Sequence, residues 1–137
     1  VANETDAKEI TAIDNLIFED KWSADAYSRE CKNNKIFVAK LLDKIIGFID
    51  LEIVADEMNI VKVGVLPDYR RNRVAIQLIN HALEYAKQNN IASIGLEVSS
   101  NNIPAQNLYK KMGFESTRVR KQYYKDHSDG IEMRKQV

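Results

Sequence analysis

The chain has 137 residues, room for one domain of ~100–200 residues and for no second sizeable core. Its 20 Lys and Arg balance 20 Asp and Glu, which argues against nucleic acid or an anionic membrane as a partner drawn by overall charge. Apolar residues at 45% and charged residues at 29% exclude a disordered chain, and the apolar run Ile45, Ile46, Gly47, Phe48, Ile49 stops at Asp50, far short of the ~20 residues of a membrane span.

Ile10, Ile13 and Ile17 fall at helical spacing and predict a helix over residues 6–18. A second helix follows Ser23, an N-cap residue type, and runs to about Lys32. The period then changes. Residues 36–39 and 45–53 read as strands hinged at Asp43 and Lys44, and residues 58–66 as a third strand stopped by Pro67. From 71 to 88, Ala75, Leu78, Ile79, Ala82, Leu83 and Ala86 trace one helical stripe. Residues 91–98 form a strand with Ile94, Leu96 and Val98 on one face and Ser93, Gly95 and Glu97 on the other. A short helix opens at Asn101, Asn102, Ile103 and Pro104 and ends at Gly113. Residues 114–124 and 131–137 close the chain as a hairpin around a polar turn at 125–130. The order ααβββαβαββ is an α/β (α+β) architecture: a mixed central sheet flanked by helices, with one parallel pair made by a right-handed crossover.

Residues 1–9, with Glu4, Asp6 and Glu9, do not read as a signal peptide. Cys31 has no second cysteine to pair with, and only His81 and His127 accompany it, too few for a zinc cluster; its helix position reads as a small core residue. A reduced, cytoplasmic compartment is expected. No P-loop, His-Glu-x-x-His, Gly-x-Ser-x-Gly or Gly-x-Gly-x-x-Gly is present. What remains is the segment from Val63 to Ala75, where Arg70, Arg71 and Arg73 lie beside a helix N-terminus. Free backbone N–H groups, the positive dipole end and three guanidinium groups suit a phosphate, the alternative being a solvated basic loop. Read by themselves, Glu97 is equally an outward strand carboxylate, and Tyr109 a core tyrosine on the stripe with Ala105, Leu108 and Met112.

Residues 67–75 resemble the Arg/Gln-x-x-Gly-x-Gly/Ala coenzyme signature of the GNAT N-acetyltransferases. Leu96, Glu97, Val98, Asn102, Ala105, Leu108, Tyr109, Gly113 and Phe114 resemble the LEV…N…A…LY…GF pattern of its RimI-type branch, the ribosomal protein N-terminal alanine acetyltransferases. Trp22, Ser23 and Tyr27 look like that branch's WSxxx-aromatic segment, and Arg118, Tyr123, Tyr124, Asp129 and Met133 like its tail. The resemblance spans essentially the whole chain.

It implies the GNAT fold, acetyl-CoA as co-substrate, no metal, and direct acetyl transfer to a primary amine in a ternary complex without a covalent enzyme intermediate. Glu97 matches the general base and Tyr109 the general acid. Backbone at Val63, Gly64 and Val65 would pair with the pantetheine arm, with Gly64 allowing close approach or a bulge. Arg70, Arg71, Asn72, Arg73, Val74, Ala75 and Ile76 would hold the diphosphate, and Asn102 would add a contact beside its competing role as N-cap. Trp22, Tyr123 and Tyr124 match acceptor-binding positions; strand alternation would send the two tyrosines to opposite faces, so that one contributes. The resemblance points to a protein or peptide N-terminal α-amine, and the chemistry agrees: at pKa ~7.8 against ~10.4, an α-amine offers about 400 times more neutral nucleophile than lysine. A small amine of polyamine or aminoglycoside type is the alternative acceptor, with Glu52, Asp56, Glu57 and Asp129 as its acids. Arg73 stands where the signature has its first glycine, which raises a further alternative, a non-catalytic acyl-CoA-binding module. A homodimer is left open.

Overall fold

A computed structural model of the chain describes residues 1–18, 21–33, 35–124 and 127–137, with the backbone alone at Glu4, Arg71 and Asn72. After a 3-10 turn at Glu4–Asp6, helix α1 spans Ala7–Ile17 and buries Ala7, Ile10, Ile13 and Asp14 along one face. Helix α2 spans Ala24–Asn33, and Ser23 Oγ accepts the Ala26 N–H at 3.1 Å, the capping role its residue type predicts. Strands β1 (Lys35–Leu41), β2 (Lys44–Val54) and β3 (Glu57–Val65) form the expected antiparallel meander. A 3-10 helix at Pro67–Asn72 follows, then α3 at Val74–Gln88. The long helix expected from Arg71 thus begins three residues later, because Arg73 adopts a left-handed backbone (φ 62°) that ends one helix and re-aims the chain into the next.

Strand β4 (Ser93–Ser99) leads into α4 (Ile103–Lys111). The helix closes as Gly113 takes φ 96°, with Gly113 N–H bonded to Lys110 O and Phe114 N–H to Tyr109 O, the double bond of a glycine C-cap. Strands β5 (Glu115–Arg120) and β6 (Gly130–Gln136) complete the chain. The strand expected to reach Tyr124 therefore stops at Arg120. Of the turn expected at 125–130, Lys125 and Asp126 lie outside the described residues.

The six strands form one mixed sheet in the order β1-β2-β3-β4-β6-β5, with β3 and β4 parallel and every other neighbouring pair antiparallel. The closing hairpin thus sets its later strand inside, between β4 and β5. On one face, α3 and α4 bury Leu78, Ile79, Ala82 and Tyr109 against Ile60, Ile94, Leu96, Val98 and Met133. On the other face, α1 and α2 bury Ile10, Ile13 and Tyr27 against Ile36, Ile45 and Phe48, and no residue of β4, β5 or β6 joins that second core. The same face of β4, with Ser93, Gly95 and Glu97, is left to polar side chains.

Candidate active site

Strands β3 and β4 face each other at four positions only, from Glu57 with Ser93 to Ile60 with Leu96. Beyond them β3 runs on to Val65 and β4 to Ser99 with no further pairing. The cause lies on the other edge of β3. Asp50 faces Lys62 while Leu51 faces Ile60, so Val61 is an extra residue, and such a bulge bends its strand. It falls one residue past the last β3–β4 pair, and the strands part there into a wedge. The backbone of residues 61–65 loses β4 as a ladder partner, which leaves an edge that an extended, amide-bearing chain can complete. Val63, Gly64 and Val65 lie on this edge. Of the two roles expected of Gly64, the bulge is at Val61 instead, and the close approach is to the protein's own side chains: a Cβ at Gly64 would lie 2.9 Å from Ile17 Cδ1 and 3.0 Å from Phe48 Cε1.

At the next turn the first intrahelical bond of α3 runs from Gln77 N–H to Arg73 O, and the Arg73 side chain makes no capping bond. The amides of Val74, Ala75 and Ile76 precede that bond, at the positive end of a 15-residue helix with no acidic residue in its first turn. Arg73 is exposed and holds the positive φ that glycine would supply, at a cost of about 1 kcal/mol for a side-chain-bearing residue. Arg70 Nε donates to Val65 O at 3.4 Å and so ties this turn to the end of the wedge strand. The side chains of Arg71 and Asn72 lie outside the described residues. Asn102 is the N-cap of α4, its Oδ1 accepting the Ala105 N–H at 3.2 Å, so of its two expected roles the structure shows the cap.

Glu97 is the first β4 residue past the last pair with β3, at the mouth of the wedge. On the same face the Arg134 guanidinium covers Gly95, donating to Ser93 Oγ at 2.8 Å and Asn59 Oδ1 at 3.3 Å. Tyr109 belongs to the opposite face, buried with the α3 and α4 core, its ring 5.8 Å from that of Phe114. Burial pushes its hydroxyl above the ordinary phenol value. The carboxylate and the phenol thus stand on two sides of the parting strands.

Tyr123 and Tyr124 follow the end of β5, so strand alternation does not separate them; their rings meet edge to face with centroids 5.1 Å apart. The Tyr124 hydroxyl is pushed up to about 12 by burial and by the neighbouring Glu97, Tyr123 and Tyr109, which places it within electrostatic reach of both candidate catalytic groups. A cavity of about 380 Å³ opens on the Glu97 face, lined among others by Glu52, Glu97, Arg120, Tyr123, Glu132 and Arg134. Of the four acids read as a polyamine site, only Glu52 lines it. Asp129 accepts instead from Gln122 N–H and Lys121 Nζ, and Glu57 stands 4.0 Å from Arg134.

Two features escaped the sequence. Arg120, not Arg118, reaches the site: its Nε lies 3.0 Å from Glu97 Oε1, whereas Arg118 is exposed on β5. The second is a buried charged cluster. Asp14 accepts from Lys62 Nζ (2.6 Å), Tyr27 hydroxyl (2.6 Å) and Trp22 N–H (2.9 Å), and the Lys62 ammonium lies 4.4 Å from the Trp22 ring and 4.6 Å from that of Phe18. Trp22, expected at the acceptor, is half-buried here and does not line the cavity. Cys31 is half-buried, not fully interior. Among the described residues no group of His, Cys, Asp or Glu is placed to hold a metal ion, and no helix is long and apolar enough to cross a membrane.

A profile of the acetyltransferase (GNAT) family matches residues 7–114. The chain belongs to the GNAT acetyltransferase family. Among the relatives of this GNAT chain is a putative [ribosomal protein bS18]-alanine N-acetyltransferase of Bacillus subtilis, 29% identical, with the match covering 90% of this chain and 84% of the relative. An N-alpha-acetyltransferase of Sulfurisphaera tokodaii is 28% identical over 96% of this chain and 88% of its own. The crystal structure of the ribosomal-protein-S18-alanine N-acetyltransferase from Escherichia coli superposes with a TM-score of 0.93 at 25% identity, covering 99% of this chain and 90% of that one. The GNAT fold, with its mixed six-stranded sheet and four α-helices, is the one the sequence predicts.

Proposed function

We propose that this GNAT chain acts as one acetyltransferase domain that moves the acetyl group of acetyl-CoA to the N-terminal α-amine of a protein or peptide. The observation that carries the reading is the position of Glu97, the first residue past the point where β3 and β4 part. The relatives of B. subtilis and S. tokodaii support the acceptor class, since their names specify ribosomal protein alanine and N-alpha acetylation. A cytoplasmic location fits a ribosomal or nascent-chain acceptor.

The coenzyme's diphosphate would lie on the amides of Val74, Ala75 and Ile76, with Arg70 and Arg73 supplying charge, and its pantetheine arm along the open edge at Val63, Gly64 and Val65. The acceptor would approach from the Glu97 face. Glu97 takes a proton from the α-ammonium, and the neutral nitrogen attacks the thioester carbonyl. The tetrahedral intermediate collapses with cleavage of the C–S bond; the thiolate takes the proton of Tyr109, and the second proton, which the nitrogen loses as it becomes the amide, restores the phenol by way of solvent. The transfer from Tyr109 to the thiolate is uphill by roughly 2 kcal/mol from the unperturbed pKa values, ~8.5 against ~10, and the burial that raises the Tyr109 hydroxyl adds to it, so the step draws on stabilisation of the thiolate by the site. No nucleophile pair is needed. The small-amine alternative gains nothing from the geometry, because its four acids do not converge.

The test is thiol release from acetyl-CoA with a panel of N-terminal peptides, polyamines and aminoglycosides. Turnover confined to peptides supports the reading. Turnover confined to polyamines or aminoglycosides overturns the acceptor, and tight acetyl-CoA binding with no thiol release from any acceptor overturns the catalytic reading.

A further inference from the structure

Two charged atoms at the mouth of the wedge are buried without a hydrogen-bond partner among the described residues: Glu97 Oε2 and Arg120 Nε. They belong to one ion pair, Arg120 Nε to Glu97 Oε1 at 3.0 Å, but the N–H is not aligned with that contact. A covered polar atom without a partner is costly, and a water, an ion or a ligand can satisfy it; the Arg120 and Glu97 side chains as a whole are 38% and 21% exposed, so a partner can reach them. The pair lines the cavity on the Glu97 face. It offers an acceptor, Oε2, and close to it a donor, Nε–H, so its complement is a donor and an acceptor a few ångströms apart.

An N-terminal residue carries such a pair: its α-nitrogen and its own carbonyl oxygen are held roughly 3 Å apart by the N–Cα–C–O geometry. A lysine ε-amine or a polyamine nitrogen has no carbonyl on the neighbouring carbon. We propose that Arg120 is a specificity-determining residue that donates to the first carbonyl oxygen of the acceptor while Glu97 engages its α-amine, so that the site recognises an α-amino carbonyl unit and not an amine alone. The inference rests on the acceptor reading above. Three features hold the guanidinium for this task. Arg120 is the last residue of β5 and reaches Glu97 across β6 at Gly130, which has no side chain to block it. Its Cζ lies 5.1 Å from the centre of the Tyr123 ring, a cation–π contact that helps hold the guanidinium at the cavity wall. Glu97 in turn supplies the counter-charge.

The experiment is a double-mutant cycle between enzyme and acceptor. Wild type and Arg120→Met are each given an N-terminal peptide, and the same peptide with its first amide replaced by a trans alkene, which keeps the shape and removes the carbonyl oxygen. The alkene changes the basicity of the amine equally for both enzymes, so that effect cancels in the ratio. Wild type is expected to lose tenfold or more in kcat/KM on carbonyl removal, the size of a hydrogen bond to a charged group, and Arg120→Met less than twofold. Arg120→Lys, which keeps the charge and displaces the donor, is expected to fall between, and carries the cycle should the methionine variant fold poorly. An equal loss in wild type and variant, or no loss in wild type, overturns the role of Arg120 and leaves the acceptor reading standing. Failure of wild type to acetylate any N-terminal peptide overturns both.

Discussion

The Lys62 ammonium lies 2.6 Å from Asp14 Oδ1 in the core between α1 and β3, with the Asp14 side chain fully buried and that of Lys62 11% exposed. Removing one partner of such a pair strands the other's charge, so Lys62→Met should destabilise the fold by about 3 kcal/mol, on the order of 10 °C in Tm for a chain of this size. Burial alone would push the Asp14 carboxyl up; the hydrogen bonds from Lys62, Tyr27 and Trp22 N–H outweigh it and hold it below 3.8. A folded value below the unfolded one gives stability that is complete above pH ~4 and lost as pH falls through the folded value. Denaturant titrations from pH 6 down to pH 2 should therefore show a shallower acid decline in Asp14→Asn than in wild type; parallel curves would contradict the assignment.

Glu97→Gln and Tyr109→Phe should each lower kcat about 100-fold while acetyl-CoA affinity by calorimetry stays unchanged. Turnover within about twofold of wild type in both variants would remove the proton-transfer roles. Because burial raises the Tyr109 hydroxyl above 10.0, the donor stays protonated through the neutral and mildly alkaline range. The rate should accordingly show no fall attributable to this group below about pH 10.

A methyl group at Gly130 would lie 3.0 Å from Glu97 Oε2 and 3.0 Å from Tyr123 Cδ2. Both are side-chain atoms that can yield, so Gly130→Ala should cost only about 1 kcal/mol of stability while displacing the carboxylate. The expected result is a drop in kcat of about tenfold with coenzyme binding intact. A loss of stability without loss of rate would show that the close approach has no bearing on the chemistry.

Arg73→Gly removes the left-handed strain of a residue with a Cβ and should raise stability by up to about 1 kcal/mol, a few degrees in Tm. Coenzyme affinity should change by no more than about fivefold, since the backbone already has the glycine conformation in wild type. An affinity gain far beyond fivefold would mean that the arginine side chain obstructs the diphosphate.

Periodicity together with the punctuation at Ser23, Pro67, Pro104 and Gly113 exposed the order of elements, because Ile10, Ile13 and Ile17 or Leu78, Ile79 and Ala82 report their buried faces directly. The signature marked Arg73 as standing where a glycine is usual, but its left-handed backbone became visible only in the structure. What stayed hidden depends on contacts between segments far apart in sequence. The bulge at Val61 is defined by its register against β2, and no local residue type marks it. Arg120 meets Glu97 only because β6 enters the sheet between β4 and β5, carrying a glycine to the crossing point. Asp14 sits on the buried face of α1, where charge is rare; its partners Lys62 and Tyr27 lie 48 and 13 residues away. The spacing of Tyr123 and Tyr124 misled because the strand ends at Arg120, before it reaches them.

Four facing positions are all that stitch the β1–β2–β3 half of the sheet to the β4–β6–β5 half. Past that seam no β3–β4 pairing continues, and the halves are joined there by the shared core beneath α3 and α4. A pantetheine arm laid along residues 61–65 would be mortar between them, so occupancy by the co-substrate and cohesion of the two halves become one equilibrium. Amide hydrogen exchange should slow on coenzyme addition not only along β3 but also in β4 and β6, away from the α3 amides proposed to hold the coenzyme's phosphates.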